Sequence, residues 1–251
     1  MMKIDPRYNL PIVGRGELAS LDPAAIQQTG ALLLVDKPLE WTSFNVVAKV
    51  RNTLGIKKVG HAGTLDPLAT GLLILCLGKA TKLADQVQAE EKEYTGTMRL
   101  GATTETEDAE GEEREIHSVE HLTPENIVTA AQTFVGESLQ TPPMFSARKV
   151  QGKRLYKLAR KGIEVERPSK PITIYEFEIS RIDLSTNPPQ ADFRVVCSKG
   201  TYIRSLARDL GEKLGVGGYL LGLRRTRSGE FRVEQGVKIG EIKEYSSPPL
   251  R

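Results

Sequence analysis

The sequence predicts a mixed α and β protein, with several strands interleaved with three or four helices. Three observations carry this. Leu72 to Leu77 is a continuous apolar run of strand length. From Tyr94 to Leu100, Tyr94, Gly96, Met98 and Leu100 alternate with Thr95, Thr97 and Arg99, which is the period of a strand. Two stretches, Phe44 to Leu54 and Thr201 to Leu214, carry apolar residues at helical spacing.

In order along the chain, residues 1 to 30 show no long period and read as an N-terminal extension or loose arm. Leu32 to Val35 is a short strand ending in Asp36-Lys37-Pro38. Ser43 can cap a helix whose stripe is Val46, Val47, Val50 and Leu54, closed by Gly55. After the 72–77 strand, Gly78 turns the chain into a short helix near Ala80 to Gln88. The acidic segment after Gly101 reads as a surface loop. Thr123-Pro124 starts a helix with Ile127, Ala131 and Phe134 on one face. Ile172 to Ile182 and Ala191 to Ser198 are two further strands. Thr201 caps the second long helix, on which Arg204 and Arg208 share a face. Leu223 to Arg227 is a compact basic stretch before a final strand around Phe231.

Composition narrows the class. A hydrophobic fraction of 39% beside 27% charged residues is that of an ordinary globular domain. No apolar stretch approaches the roughly 20 residues that span a bilayer, so no membrane role is expected. Cys76 and Cys197 both lie in apolar, strand-like contexts and read as buried thiols of a reducing compartment, with the cytoplasm as the default. The net charge of +3 hides a segregation. Met144 to Ile163 holds seven Lys/Arg and no acid, whereas Glu105 to Glu115 holds seven acids and one arginine. Such segregation suggests one polyanion-facing side and one repelling side. His117 and His121 have metal-ligand spacing but no cysteine placed to complete a site, so no metal is predicted.

The stretch richest in chemistry is Gly60-His61-Ala62-Gly63-Thr64-Leu65-Asp66-Pro67-Leu68-Ala69-Thr70-Gly71. It sets a carboxylate between a glycine-rich approach and an apolar strand. Pro67 fixes its own φ and pushes Asp66 toward an extended conformation. Asp-Pro by itself equally reads as a helix start, with Asp66 as N-cap.

Gly60 to Leu83 closely resembles the catalytic motif of the TruB family of tRNA pseudouridine synthases. Leu32 to Pro38 with Trp41-Thr42-Ser43 resembles that family's first motif. Lys92-Glu93-Tyr94 is similar to its tyrosine segment, and Gly200-Thr201-Tyr202-Ile203-Arg204-Ser205-Leu206 to its arginine motif. The order matches too, over about residues 31 to 232. The resemblance implies an α+β pseudouridine synthase fold: a large mixed or antiparallel sheet flanked by helices, with the active cleft across the sheet. A basic, RNA-gripping thumb insertion is expected at about 141 to 170; its residues by themselves fit a basic amphipathic surface helix nearly as well. About twenty residues, 233 to 251, form a tail too short for the PUA domain that bacterial relatives usually carry.

The implied activity is isomerisation of uridine 55 in the T loop of tRNA. Asp66 matches the catalytic aspartate, which attacks the sugar or promotes glycal formation. Arg204 matches the arginine that keeps a buried carboxylate charged, and on spacing alone it could equally be a phosphate-binding arginine. Tyr94 matches the ring that stacks on the target base, and Tyr202 a second active-site tyrosine. His61 matches the histidine inserted where the flipped base was, and Leu223 an apolar residue lining the pocket. Lys37 fits a backbone or active-site contact, and Asp108 an acidic family position. Lys153 and Arg154 fall in the thumb as phosphate contacts. Isomerisation involves no net redox change or energy input, so no cofactor is expected. The implied partner is the T arm of tRNA, met by a monomer with no obligate protein partner. Two other readings remain open at this stage: a tRNA-binding folding helper with dispensable catalysis, and the guide-RNA-dependent branch that modifies ribosomal RNA.

Overall fold

The computed structural model describes residues 3–146, 148–150, 152–186 and 188–243. Its elements are, in chain order, β1 (Lys3–Asp5), β2 (Leu10–Val13), α1 (Pro23–Thr29), β3 (Ala31–Lys37), α2 (Ser43–Leu54), β4 (Val59–His61), β5 (Ala69–Leu77) and α3 (Ala84–Gln88). There follow β6 (Lys92–Leu100), β7 (Thr103–Thr104), β8 (Glu113–Arg114), α4 (Pro124–Gln132), β9 (Gly136–Gln140), β10 (Lys149–Val150), β11 (Lys153–Arg154) and α5 (Leu155–Ala159). The chain closes with β12 (Lys170–Asp183), β13 (Gln190–Cys197), α6 (Ile203–Lys213), β14 (Gly218–Ser228), β15 (Phe231–Arg232), β16 (Val237–Lys238) and α7 (Ile239–Lys243). It divides into two compact units, one of residues Met1–Glu93 with Arg224–Arg251 and one of Tyr94–Leu223. Mixed and antiparallel sheet flanked by helices is the expected α+β class.

The first unit is built on β3 and β5, whose inward residues Leu32, Leu34, Leu72 and Ile74 share one core cluster with Val87, Phe231 and Val233. β3 runs antiparallel to β5 from Ala31 opposite Leu77 to Lys37 opposite Gly71. β2 and β16 both join β3 in parallel, which makes this sheet mixed. Residues 3–30 are therefore no loose arm. They lack a long period because they are short elements, yet Val13, Leu21 and Ile26 are fully buried. Arg7 fastens their hairpin, pairing with Asp5 at 2.7 Å and lying over the rings of Tyr8 and Phe231. Likewise, the stretch expected as a tail contributes β16, paired with Val35 and Asp36, and buries Val237 and Ile242. Residues 244–251 of that expected tail lie outside the described residues.

In the second unit the strand order is β14-β6-β13-β12-β9. β12 pairs antiparallel with both β13 and β9. Phe177 of β12 meets Phe134 and Phe193 edge-on, at ring separations of 6.4 and 6.0 Å. Cys76 in the first unit and Cys197 in the second are buried free thiols, as their apolar contexts suggested. No helix among the described residues is long and apolar enough to cross a membrane.

Several boundaries move for identifiable reasons. Thr42, not Ser43, caps α2 in a reciprocal capping box with Asn45. α6 starts after Tyr202, because the Thr201 hydroxyl is spent on Ser198 O at 2.9 Å. The compact basic stretch 223–227 is the second half of β14, an eleven-residue strand whose charged residues hid its alternation. The expected thumb holds a two-strand pair, β10 with β11, and then the short α5. Its residues 147 and 151 lie outside the described residues. The acidic segment is only partly a surface loop. Glu107 and Asp108 are buried within it.

Candidate active site

Asp66 sits between β4 and β5 in a turn, not at a helix start. Its carbonyl accepts from Ala69 N at 3.1 Å, and β5 begins at Ala69. The helix-start reading of Asp-Pro is thereby excluded. The loop is fastened from several sides within the first unit. The Ser43 hydroxyl accepts from Leu65 N at 2.9 Å and donates to Leu65 O at 3.1 Å. This use of its hydroxyl is why Ser43 leaves capping to Thr42. Glu40 N donates to Pro67 O at 2.9 Å. Lys37, 0% exposed, donates from Nζ to Pro38 O at 2.9 Å, Trp41 O at 2.5 Å and Pro67 O at 3.4 Å. A buried ammonium needs its donors used, and three main-chain carbonyls use them. Of the two contacts the sequence allowed Lys37, these are backbone ones, and they bind the first motif to the Asp66 turn.

His61 closes the approach to the loop at the end of β4. Its Nδ1 is buried with no hydrogen-bond partner. Burial, and secondarily the positive charge of Arg225, hold its pKa below the usual histidine value, so the neutral ring is favoured. Arg225 itself was missed by sequence reasoning. Its Nε donates to Leu72 O at 2.7 Å and Nη2 to Gly63 O at 3.2 Å. Beside it, Arg224 forms a bidentate pair with Asp36, at 3.0 and 2.9 Å. The only signal for either was the run Leu223-Arg224-Arg225-Thr226-Arg227, and charge density alone does not say which arginine turns inward.

In the second unit, Arg204 lies in the first turn of α6 and is almost wholly buried. It donates to Thr106 O at 2.9 Å and Phe145 O at 2.8 Å, and pairs with Asp108 Oδ2 at 3.3 Å. Asp108 is itself oriented by the Thr106 hydroxyl at 2.6 Å and Glu110 N at 3.1 Å. One helical turn further on, Arg208 pairs with Glu107, which also accepts from the Ser205 hydroxyl at 2.7 Å. Burial raises the Glu107 pKa, partly offset by Arg208. The acidic segment thus supplies counter-ions to the arginine helix.

A model of the TruB family pseudouridylate synthase N-terminal domain matches residues 51–203, and one of the tRNA pseudouridylate synthase B C-terminal domain matches residues 204–247. The chain belongs to the TruB family. This TruB-family protein is 51% identical over 222 residues to the tRNA pseudouridine synthase B of Phocaeicola vulgatus, covering 86% of this chain and 93% of that one. It is 50% identical over 220 residues to the tRNA pseudouridine synthase B of Chloroherpeton thalassium, covering 86% and 90%. A chain of a crystallised Cbf5–Nop10–Gar1 complex superposes with a TM-score of 0.67 at 29% identity, over 97% of the TruB-family chain and 60% of its own length. A chain of an H/ACA ribonucleoprotein bound to a substrate RNA gives 0.65 at 26% identity, again over 60% of its length.

The remaining candidates of the TruB-family protein fall as follows. Tyr94 is a buried residue near the start of β6. Tyr202 immediately precedes α6, and Gln140 clamps its backbone, accepting from Tyr202 N at 2.8 Å and donating to Tyr202 O at 3.0 Å. Gln140 carried no signal in the sequence, because its role depends on a partner 62 residues away. Leu223 lies within β14, partly exposed. Lys153 and Arg154 form β11, with Lys153 exposed. The structure brings His61, Lys37 and Asp66 onto one turn system in the first unit, and Tyr202 and Arg204 onto the start of α6 in the second. Among the described residues no cluster of three or more His, Cys, Asp or Glu could hold a metal ion. His121 instead contacts Leu214 O at 3.1 Å.

Proposed function

We propose that this protein isomerises uridine 55 in the T loop of tRNA to pseudouridine, with Asp66 as the catalytic carboxylate. Family membership together with the curated relatives named tRNA pseudouridine synthase B supports the reaction class. The observation that carries the assignment to Asp66 is its fastening: Lys37, Glu40, Ser43 and Arg225 all bind main-chain groups of the one turn that presents it. A nucleophile or charge-stabilising group gains from being held in place before substrate arrives.

In this reading the N1–C1′ bond breaks, the base turns, a C5–C1′ bond forms, and the C5 proton is replaced by one at N1. Atoms and electrons balance, so neither cofactor nor energy source takes part. Asp66 acts at the sugar. Arg204 takes the part of the family's arginine, and its anchoring to Thr106 O and Phe145 O leaves little rotational freedom. Tyr94 stacks on the base, with Tyr202 and Leu223 bounding the pocket. Extraction of a nucleotide from its stack leaves a gap. A neutral His61 ring fits that gap better than a charged one. Lys153 and Arg154 hold phosphates.

The guide-dependent reading has support in the likeness to H/ACA chains, at 29% and 26% identity. Identity of 51% to a tRNA enzyme favours the stand-alone reading. Purified protein, incubated alone with transcribed tRNA, should give pseudouridine at position 55. Asp66→Asn should abolish it while leaving tRNA binding within about threefold, because the amide keeps size but not charge. Turnover by Asp66→Asn would refute the assignment. A product that forms only with added guide RNA and proteins would refute the stand-alone reading.

A further inference from the structure

β14 carries two other arginines close to Arg225, Arg224 beside it and Arg227 two residues on, and both behave ordinarily. Arg224 pairs with Asp36, and Arg227 with Glu91 at 2.6 Å. Arg225 points the other way from Arg224, as strand alternation requires, and is 2% exposed. Its hydrogen bonds go to main-chain carbonyls, Leu72 O and Gly63 O, and among the described residues no ion pair accompanies them. A guanidinium withdrawn from water without a counter-charge is costly, so the fold retains it against a penalty. An apolar side chain would fill the space at lower cost unless the two carbonyls had to be held.

Those carbonyls belong to the two arms of the Asp66 loop. Gly63 lies three residues before Asp66 and Leu72 six residues after it. One planar fork with donors at fixed angles therefore spans the entrance and exit of the loop, which a flexible ammonium does not reproduce. The backbone adds to the grip. Gly71 has φ +98°, and a Cβ there would stand 2.3 Å from Arg225 O and 2.8 Å from Arg225 N. Residue 225 thus meets the loop arms through both side chain and main chain. We infer that Arg225 is a positioning residue for catalysis: it clamps the Gly63 and Leu72 carbonyls and so fixes where Asp66 presents its carboxylate. This rests on the proposed catalytic role of Asp66. Arg225 acts through the loop, not on the RNA.

The test uses the full chain and transcribed tRNA, and reads single-turnover rate, tRNA Kd and Tm separately. Arg225→Lys keeps charge and stem but loses the fork. It should lower the rate by about 100-fold, the cost of a small misplacement of a reacting group, with Kd within about threefold. In Arg225→Ala, added guanidinium ion at millimolar level should restore part of the rate, whereas ammonium should not, and neither should rescue Asp66→Asn. A folded Arg225→Lys protein with wild-type rate and lowered Tm would overturn the inference and leave Arg225 a purely structural residue. A rate loss matched by an equal loss in Kd would overturn it too. If Arg225→Ala does not fold, Arg225→Lys decides alone. Absence of pseudouridine with the wild-type protein would instead strike the proposed function, so the two failures are distinguishable.

Discussion

Gly71→Ala tests the packing behind the catalytic turn, and Gly55→Ala is its built-in control. Both glycines have positive φ, +98° and +65°. An alanine forced into that region costs about 1–2 kcal/mol at either site. At Gly55, which closes α2, a Cβ would meet nothing within 4 Å, so the backbone term is the whole cost. At Gly71 the added methyl would stand 2.3 Å from Arg225 O and 2.8 Å from Arg225 N, about 1 Å inside ordinary contact. These are main-chain atoms of a strand, so no side chain can swing aside. Overpacking of this kind adds about 1–3 kcal/mol, for a total of about 2–5 kcal/mol. For a chain of this size each kcal/mol moves Tm by about 2–4 °C. Gly55→Ala should therefore lower Tm by a few degrees and Gly71→Ala by roughly 10 °C. Thermal and urea denaturation followed by circular dichroism measure both. Equal losses for the two substitutions would refute the reasoning, because they would mean that nothing presses on Gly71. Single-turnover assays on the same samples should show pseudouridine formation impaired in Gly71→Ala and normal in Gly55→Ala.

Lys37→Met removes the Nζ donor from three part-buried carbonyls, of which Pro67 O keeps Glu40 N; at about 1 kcal/mol for each of the two left without it, the urea midpoint should fall while the slope stays unchanged. An unchanged midpoint would show that the carbonyls find other donors. His61 has a lowered pKa in the fold, so between that value and 6.5 the unfolded chain binds more protons than the native one. Its contribution to stability is therefore fully present above the unfolded value and is lost as pH falls through the folded one. The stability advantage of wild type over His61→Gln should shrink from about pH 8 to about pH 5, and a widening gap would contradict this sign. Neutralising Lys153, Arg154 and Lys157 together should weaken tRNA binding almost regardless of sequence and flatten log K against log salt by about 0.7–0.9 per lost phosphate contact. An unchanged salt slope would remove the thumb from the RNA interface.

Where a residue's role follows from its neighbours in the chain, the sequence determined it. The apolar run of β5, the alternation of β6, the stripe of α2 and the Gly55 stop all depend on periods and caps spanning a few residues. The Asp66 dodecamer was legible for the same reason: glycines, a proline and a carboxylate in one short stretch constrain the local backbone whatever surrounds them. Only tertiary structure decided what each polar group is spent on. Ser43 was equally fit to cap α2 or to bind Leu65, and the chain gives no way to choose until residue 65 is brought beside it. Arg224 and Arg225 are identical letters, yet one faces Asp36 and the other is buried against Leu72 and Gly63, because strand pleating sends neighbours to opposite sides. Glu107 and Asp108 looked like surface acids until Arg208 and Arg204, about a hundred residues later, supplied their charges. Desolvating a carboxylate is tolerable only beside such a partner, and a partner that distant is decided by the fold alone.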